Sequence, residues 1–503
     1  MSQLEQPPTT RTTGAGLHLV ASVERDEPAG DDATGATPAP VASRRSTLAR
    51  AGLLAFRLLC GGYAALLVLI VIALKGVYLP LLEHDRAFAA YGICVSVYLL
   101  SRFALSLVYR PVRARAGDSL PSVAIVIPAM NEEDGIEATI DAAFGVDYPR
   151  ELLTVYAVDD GSTDDTWRRI RKTARRHPGL HALRFSCNRG KRAAMAAGIR
   201  ASDAEIICFV DSDSTLAPDA LREIVRPFRD GRVNIVCGHA DVLNRSANLL
   251  TRLQQVRYYV AFRVVKSAES LFGAVSCASG CFSAYRRDRL LEVLPAWESQ
   301  AFLGREATFG DDRALTNMLL RTGRCVYQST AQCETTVPET LRRFLVQQVR
   351  WKKSWTRESL IALGVFARKN PLASSAMYAS IAFQLIGPMV AFRALVWRPL
   401  EHGAEPWLYL IGIYLMAVLY SLYYAMRRAN PWWWAGLAFV GLYVSVLIWQ
   451  TYWAIATSRR TQWGTRSGLA DDGGGFRLIG LIGRPGDSGI PVARDAEVVP
   501  AGL

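Results

Sequence analysis

The sequence predicts an α/β domain, doubly wound about a parallel sheet and inserted between α-helical transmembrane segments. Three observations lead there. Long apolar runs stand on both sides of a more polar middle in this 503-residue chain. Within that middle, three short apolar runs read as buried parallel strands separated by helix-like stretches. Each of the three runs ends in polar or acidic residues, as strands do where an open α/β sheet binds its ligand.

Residues 1–47 are rich in Thr, Pro, Ala, Asp and Gly and almost free of aromatics, so they are expected to be disordered. The first apolar run starts too late for a cleaved signal peptide. A transmembrane hairpin is expected over 48–110. Leu53 to Leu82 is long enough to span a bilayer, and Ala87 to Tyr109 forms the second span. Arg44, Arg45 and Arg50 precede the pair and Arg110, Arg113 and Arg115 follow it, which puts both ends in the cytoplasm. The net charge of +13 lies largely beside apolar segments, a pattern that points to anionic lipid and not to nucleic acid. The nine cysteines are scattered without a CxxC pair, which speaks against a disulfide framework or a zinc site.

The soluble domain is expected over 118–345. Its strands are "SVAIVIP" (Ser122 to Pro128), "LTVYAVDD" (Leu153 to Asp160) and "EIICFVDSD" (Glu205 to Asp213). They bring Asn131 and Glu132, Asp159 and Asp160, and Asp211 and Asp213 to one crevice. A lone acidic strand end is ordinarily a helix cap, a role open to Ser162 or Thr163; three in register are harder to explain so. In an extended segment Asp211 and Asp213 point the same way, and paired hard oxygen ligands suit Mg²⁺ or Mn²⁺ bridging to a diphosphate. Lys191 and Arg192 open an Ala-rich helix, where positive charge opposes the macrodipole unless an anion sits there. Two solvated surface cations are the plainer alternative, more so for Arg192. Asp311 and Asp312 open another helix, where capping explains one of them and general-base chemistry the other.

Residues 346–460 carry an interface helix and three apolar stretches, Met377 to Val396, Trp407 to Met426 and Trp432 to Thr457. The flanking charges leave the count open between a re-entrant stretch and a fourth span near Leu360 to Phe366. The amphipathic stretches Thr251 to Phe272 and Leu341 to Phe366 suit either the cytoplasmic membrane interface or packing on the soluble domain. In "QQVRWKKSW", Gln347, Arg350 and Trp351 share one helical face, while Lys352, Lys353 and Trp355 suit the interface. From about Gly468 the chain is Gly-rich and reads as a loose tail.

"VIPAMNE", "VDDGS", "NRGKR", "DSD", "GDD" and "QQVRW" stand in an order that resembles processive, membrane-integrated family 2 glycosyltransferases, and most closely the hyaluronan synthases. The likeness runs from about Leu53 to Arg466 and takes in "VRYYVAFRVVKSAESLFGAVSCASG" and "WGTR". It implies a GT-A type nucleotide-sugar-binding domain. Asp159, with Asn131 and Glu132, would hold uridine, and Lys191 the phosphates. Asp211 and Asp213 would engage donor and metal, Mg²⁺ or Mn²⁺, with Asp213 the direct ligand. Arg350 would stabilise leaving UDP, and Asp312, beside Asp311, would act as base. Gly280 and Cys281, with Gln347 and Trp351, would line the acceptor site, and Trp463, Gly464, Thr465 and Arg466 would form a gating loop. The implied partners are UDP-sugars, a growing polysaccharide and membrane lipids, without nucleic acid. Two departures bear on acceptor choice: Cys281 stands where relatives carry Pro, and Ala307 where many carry Cys. The resemblance leaves two rivals, a chitin-type synthase using UDP-GlcNAc alone and a non-catalytic membrane scaffold; Asp211, Asp213, Asp312 and Arg350 argue against the scaffold. A transferase adding one sugar to a lipid carrier would have less use for so many spans.

Overall fold

A computed structural model of the protein describes residues 42–81, 86–307, 309–403, 406–428 and 430–458. Most of the expected tail over 1–47, the Trp463 to Arg466 motif and the rest of 461–503 lie outside them. The chain divides into two units, Met1–Gly52 and Leu53–Leu503. Helix α1 (Ala42–Leu81) begins in the first, six residues inside the stretch expected to lack structure. It continues into the second unit, and α2 (Arg86–Val108) follows. Within them Gly52–Ala73 and Arg86–Val108 are long and apolar enough to cross a membrane.

β1 (Val123–Ala129) is buried at every position, as befits a strand covered on both faces. It is followed by α3 (Ile136–Phe144), β2 (Leu153–Asp159), α4 (Thr166–Ala174), β3 (Leu180–Arg184), α5 (Lys191–Ala201) and β4 (Ile206–Val210). These four strands are parallel neighbours in the order β3-β2-β1-β4, so the three expected strands lie side by side.

Beyond β4 the sheet departs from the all-parallel pattern. Next come β5 (Ser214–Leu216), α6 (Ala220–Val225), β6 (Val233–Val242) and α7 (Leu249–Val260). A π-helical stretch, Ala261–Lys266, joins α7 to α8 (Ser267–Ser270), and β7 (Phe282–Arg286) and α9 (Arg287–Glu298) follow. A small hairpin, β8 (Ala301–Phe302) and β9 (Arg305–Glu306), precedes α10 (Asp311–Leu320) and β10 (Arg324–Thr335). The eight-stranded sheet runs β3-β2-β1-β4-β7-β6-β10-β5, with β7 antiparallel to both β4 and β6. That reversal places Phe282, the first residue of β7, beside Val210, the last of β4. The chain just before β7 therefore reaches the same carboxyl edge as the ends of β1, β2 and β4.

The rest is helical: α11 (Leu341–Phe366), α12 (Pro371–Phe392), α13 (Arg398–His402), α14 (Trp407–Arg428), α15 (Ala435–Leu442) and α16 (Gln450–Ala456). Among the described residues four stretches are long and apolar enough to cross a membrane: Gly52–Ala73, Arg86–Val108, Pro371–Glu401 and Tyr409–Arg428. The last apolar stretch is a bent pair, Pro431–Leu447 with Gln450–Ala456, either a broken span or a re-entrant loop. Leu360 to Phe366, the other alternative, is no separate span; it is the end of α11. Its Ala362, Val365 and Phe366 join Ala373 of α12 in the core that begins with Val123 of β1. The amphipathic α7 likewise lies between β6 and helices α14 and α15. The sheet and α11 thus share one apolar core, while Leu253, Val256 and Tyr259 of α7 join a second cluster with Tyr423 and Tyr424 of α14.

Candidate active site

The parallel register sets Ala129 of β1 level with Asp159 of β2. Two residues past Ala129, Asn131 takes a left-handed backbone (φ 52°), a conformation Asn adopts more readily than most residues. Its amide donates to Ser162 Oγ at 3.0 Å, and its Oδ1 accepts the Thr163 amide at 2.9 Å. Ser162 and Thr163 thus tie two strand ends together instead of capping a helix; at α4 the Thr166 amide goes to Asp164 Oδ1. Glu132 is held by its amide on Thr166 Oγ1, 2.8 Å. Asp159 is fully buried, accepts the Ser162 amide at 3.0 Å and pairs with Arg184 at 3.1 Å. Arg184, at the end of β3, has no local sequence signal. Asp160 accepts the Arg189 amide at 2.7 Å, and burial pushes its carboxyl up to about 6.

Lys191 opens α5 as expected and pairs with Asp211. Asp211 and Asp213 do not lie in an extended segment. They flank a turn closed by the Ser214 amide on the Asp211 carbonyl at 3.0 Å, so alternation along a strand is not what places them. Asp213 accepts the Thr335 hydroxyl at 3.2 Å, from the end of β10. The start of β7 brings Gly280 against this turn. A Cβ at Gly280 would lie 3.5 Å from both Asp211 carboxylate oxygens and from Lys191 Nζ. Cys281 is buried beside it.

Arg192 is not a solvated cation. Only 8% exposed, it pairs with Asp311 Oδ1 at 2.8 Å and donates to the Trp297 carbonyl at 2.8 Å and Gln300 Oε1 at 3.2 Å. Asp311 is buried in that pair; burial raises its carboxyl and Arg192 opposes the rise. Asp312, one residue on, faces the other way. Its Oδ2 accepts the Cys277 thiol at 3.4 Å and its Oδ1 the Arg313 amide at 2.8 Å. The residue order alone does not separate the two roles. Cys277 is held in turn: Lys266 reaches its carbonyl and Ser279 Oγ, and the next amide, of Ala278, bonds Thr316 Oγ1 of α10 at 3.0 Å. Burial, then the Asp312 carboxylate, raises the Cys277 thiol.

Helix α10 starts at Gly310, whose φ of 82° a side chain would strain; a Cβ there would also run into Ser354 of α11. The close approach is locked by Arg357, which donates to the Phe309 carbonyl at 2.5 Å and to Glu358 at 2.7 Å. Glu358 also accepts Gln300 and Asn317, each at 3.0 Å. Arg350 lies seven residues before Arg357, about two helical turns, and so on the same side of α11. Trp351 is 37% exposed, 6.4 Å from the Tyr258 ring and 5.7 Å from the Arg257 guanidinium. Burial raises the Tyr258 phenol, and Cys281, Asp213 and Asp211 add to the rise. Tyr258 thus packs beside Trp351 within the electrostatic reach of both strand-end carboxylates. Gln347 accepts from Gln348 at 3.5 Å.

Two neighbours expected to extend into the membrane interface pack into the protein instead. Trp355 is buried, and Lys352 turns inward to Leu447 and Thr451. Trp355 lines a cavity of about 170 Å³ with Tyr98, Arg102, Glu269, Ser276 and Arg313, the last two next in sequence to Cys277 and Asp312. Among the described residues no three His, Cys, Asp or Glu side chains group as a metal site. Asp211 and Asp213 fit a cation whose other ligands come from a bound diphosphate.

Residues 124–294 match the family described as Glycosyl transferase family 2. The chain is 34% identical over 386 residues to a hyaluronan synthase of Streptococcus pyogenes, covering 75% of this chain and 90% of that one. It is 36% identical over 280 residues to an N-acetylglucosaminyltransferase of Rhizobium meliloti, covering 55% and 63%. A solved mannosyltransferase from Pyrobaculum calidifontis, in complex with GDP-Man and Mn²⁺, aligns with a TM-score of 0.49 and 21% identity over 79% of this chain and 99% of that one.

Proposed function

The chain belongs to glycosyltransferase family 2, among its hyaluronan-synthase-like members, and from this premise we propose that it polymerises hyaluronan from UDP-GlcNAc and UDP-GlcA. It is a membrane hexosyltransferase with a GT-A type sheet. We place that sheet at the cytoplasmic face, with the polymer leaving between the apolar helices. The observation that carries the reading is the meeting of four groups at one sheet edge: the Asp159 strand end, the Lys191–Asp211 pair, Gly280 before β7, and the Cys277–Asp312 contact on α10.

In this reading Asn131, Glu132 and Asp159 hold the uridine, and Lys191 turns from Asp211 to the donor phosphates. Asp213 and Asp211 would hold Mg²⁺ or Mn²⁺, which when bound offsets charge on the diphosphate. The acceptor hydroxyl attacks the anomeric carbon as Asp312 takes its proton. The new carbon–oxygen bond forms while the bond to UDP breaks, UDP keeps the electron pair, and the anomeric centre inverts. Arg350 faces the negative charge gathering on UDP. Gly280 leaves room for the acceptor ring, Trp351 offers a flat apolar face for it with Gln347 one turn before, and Cys281 borders the site. A polar chain cannot cross lipid unaided, and a cavity lined by Ser276, Arg313 and residues of α2 and α12 supports an exit between those helices.

Purified protein with Mg²⁺ or Mn²⁺ should release UDP and build polymer only when both UDP-sugars are present. Polymer from UDP-GlcNAc alone would replace this reading with a chitin-type synthase. That rival draws on the rhizobial relative and on Cys281 in place of Pro. No polymer from any sugar nucleotide would remove the polymerase reading altogether.

A further inference from the structure

Lysines at a membrane interface ordinarily extend toward water. Lys352, next to Trp351 on α11, does the opposite. Its ammonium donates to the Leu447 carbonyl and, at 2.9 Å, to the Thr451 hydroxyl, which is buried. Leu447 ends a π-helical stretch, Tyr443–Leu447, that follows α15. Just beyond it the chain bends by 41° into α16. At the bend the Thr451 amide donates to the Ile448 carbonyl at 3.4 Å, the three-residue spacing of a tightened turn. A carbonyl at such a break is costly in apolar surroundings unless it finds a donor, and an ammonium supplies three.

The charge is held there at a cost. Burial lowers the Lys352 ammonium to about 8, and Arg257 of α7 pushes it the same way. Arg257 itself stacks 5.7 Å from the Trp351 ring and 5.3 Å from the Phe439 ring of α15. Lys352, Trp351, Arg257 and the broken helix pair therefore form one packed group, with Arg350 two residues before Lys352.

We propose that Lys352 is a positioning residue: by holding the break at Leu447 and Thr451 it fixes the turn of α11 that presents Arg350 and Trp351 to donor and acceptor. This rests on the polymerase reading. Loss of the tie lets α11 shift at the acceptor end while the uridine site, built on β1 and β2, stays in place.

The test compares wild type with Lys352→Met, Lys352→Arg and Thr451→Val. The Met variant should make polymer about tenfold shorter, as the loss of a charge-assisted bond implies, with KM for each UDP-sugar unchanged. The Arg variant should recover most of the length, and Thr451→Val should lie between. Full-length polymer from Lys352→Met, or equal shortening by Met and Arg, would overturn the proposal. Absence of polymer from wild type would instead strike the polymerase reading. In that case spin labels at exposed Leu360 and Trp453 decide: their distance distribution should broaden in Lys352→Met and narrow again in Lys352→Arg, and an unchanged distribution overturns the proposal.

Discussion

Replacing Asp311 by Asn leaves the Arg192 guanidinium buried against a neutral partner, whereas the same change at Asp312 removes the group assigned to take the acceptor proton. Breaking a buried ion pair from one side typically costs about 3–5 kcal/mol. Asn keeps the shape and one acceptor oxygen, and Arg192 keeps its bonds to the Trp297 carbonyl and Gln300. The expected loss is therefore at or just below the lower end, about 2–3 kcal/mol. Among the described residues the Asp312 carboxylate bonds a thiol and a local amide, so Asp312→Asn should leave stability nearly unchanged. Transfer should fall by about 10²–10⁴-fold, the usual worth of a general base. The assay measures thermal midpoints in detergent beside single-turnover transfer and UDP binding. Asp311→Asn should melt several degrees lower and still transfer; Asp312→Asn should melt normally, bind UDP and not transfer. If the two variants lose transfer alike, or Asp312→Asn is the less stable, the division of labour between the carboxylates is wrong.

Asp160 supplies a pH signature. Its carboxyl rises from 3.8 to about 6 because it is buried, so the folded state binds its proton more tightly than the unfolded chain does. Its contribution to stability is full below about 4, declines as pH rises, and is lost above about 6, a span of about 3 kcal/mol. The wild-type midpoint should gain relative to Asp160→Asn as pH falls from 7.5 to 5; a constant difference would refute the burial argument. Gly280→Ala adds a methyl at ordinary contact distance from Asp211 and Lys191, so the fold should survive. Its rate of chain elongation should fall about tenfold or more, and an unchanged rate would move the acceptor site away from Gly280. Chelating divalent cations should stop UDP release, and Mg²⁺ or Mn²⁺ should restore it; undiminished transfer in chelator would dismiss the cation role of Asp211 and Asp213.

In the parallel half of the sheet β3, "LHALR", went unread, while β1, β2 and β4 were legible because each is a short apolar run bounded by polar residues. β7 was not. "FSAYR" follows a loop without periodicity, and its antiparallel direction is decided by partners far along the chain. The strand-end acids were found, yet the reason given for Asp211 and Asp213 was mistaken, because a turn and a strand share the same local residues. Arg192 looked solvated because its partner, Asp311, is 119 residues away. On α11 the face carrying Arg357 and Glu358 reads as polar and is buried, since the two satisfy each other; Trp355 beside it was therefore assigned to the interface. Asp159 came from a strand end, Lys191 from a helix start and Gly280 from the family resemblance, while Arg184, Tyr258 and Cys277 needed the fold.

The shared apolar core has a practical side. A catalytic fragment ending at residue 345 looks natural from the sequence, since α11 opens only a few residues earlier. Cutting there would strip Ala362, Val365, Phe366 and Ala373 from the cluster they complete and would leave Gln300 and Asn317 without Glu358. The newly bared face would be greasy, with stranded amides at its rim, a surface made for precipitation. A soluble version of this enzyme has to keep α11 and the start of α12, and be trimmed, if anywhere, beyond Ala373.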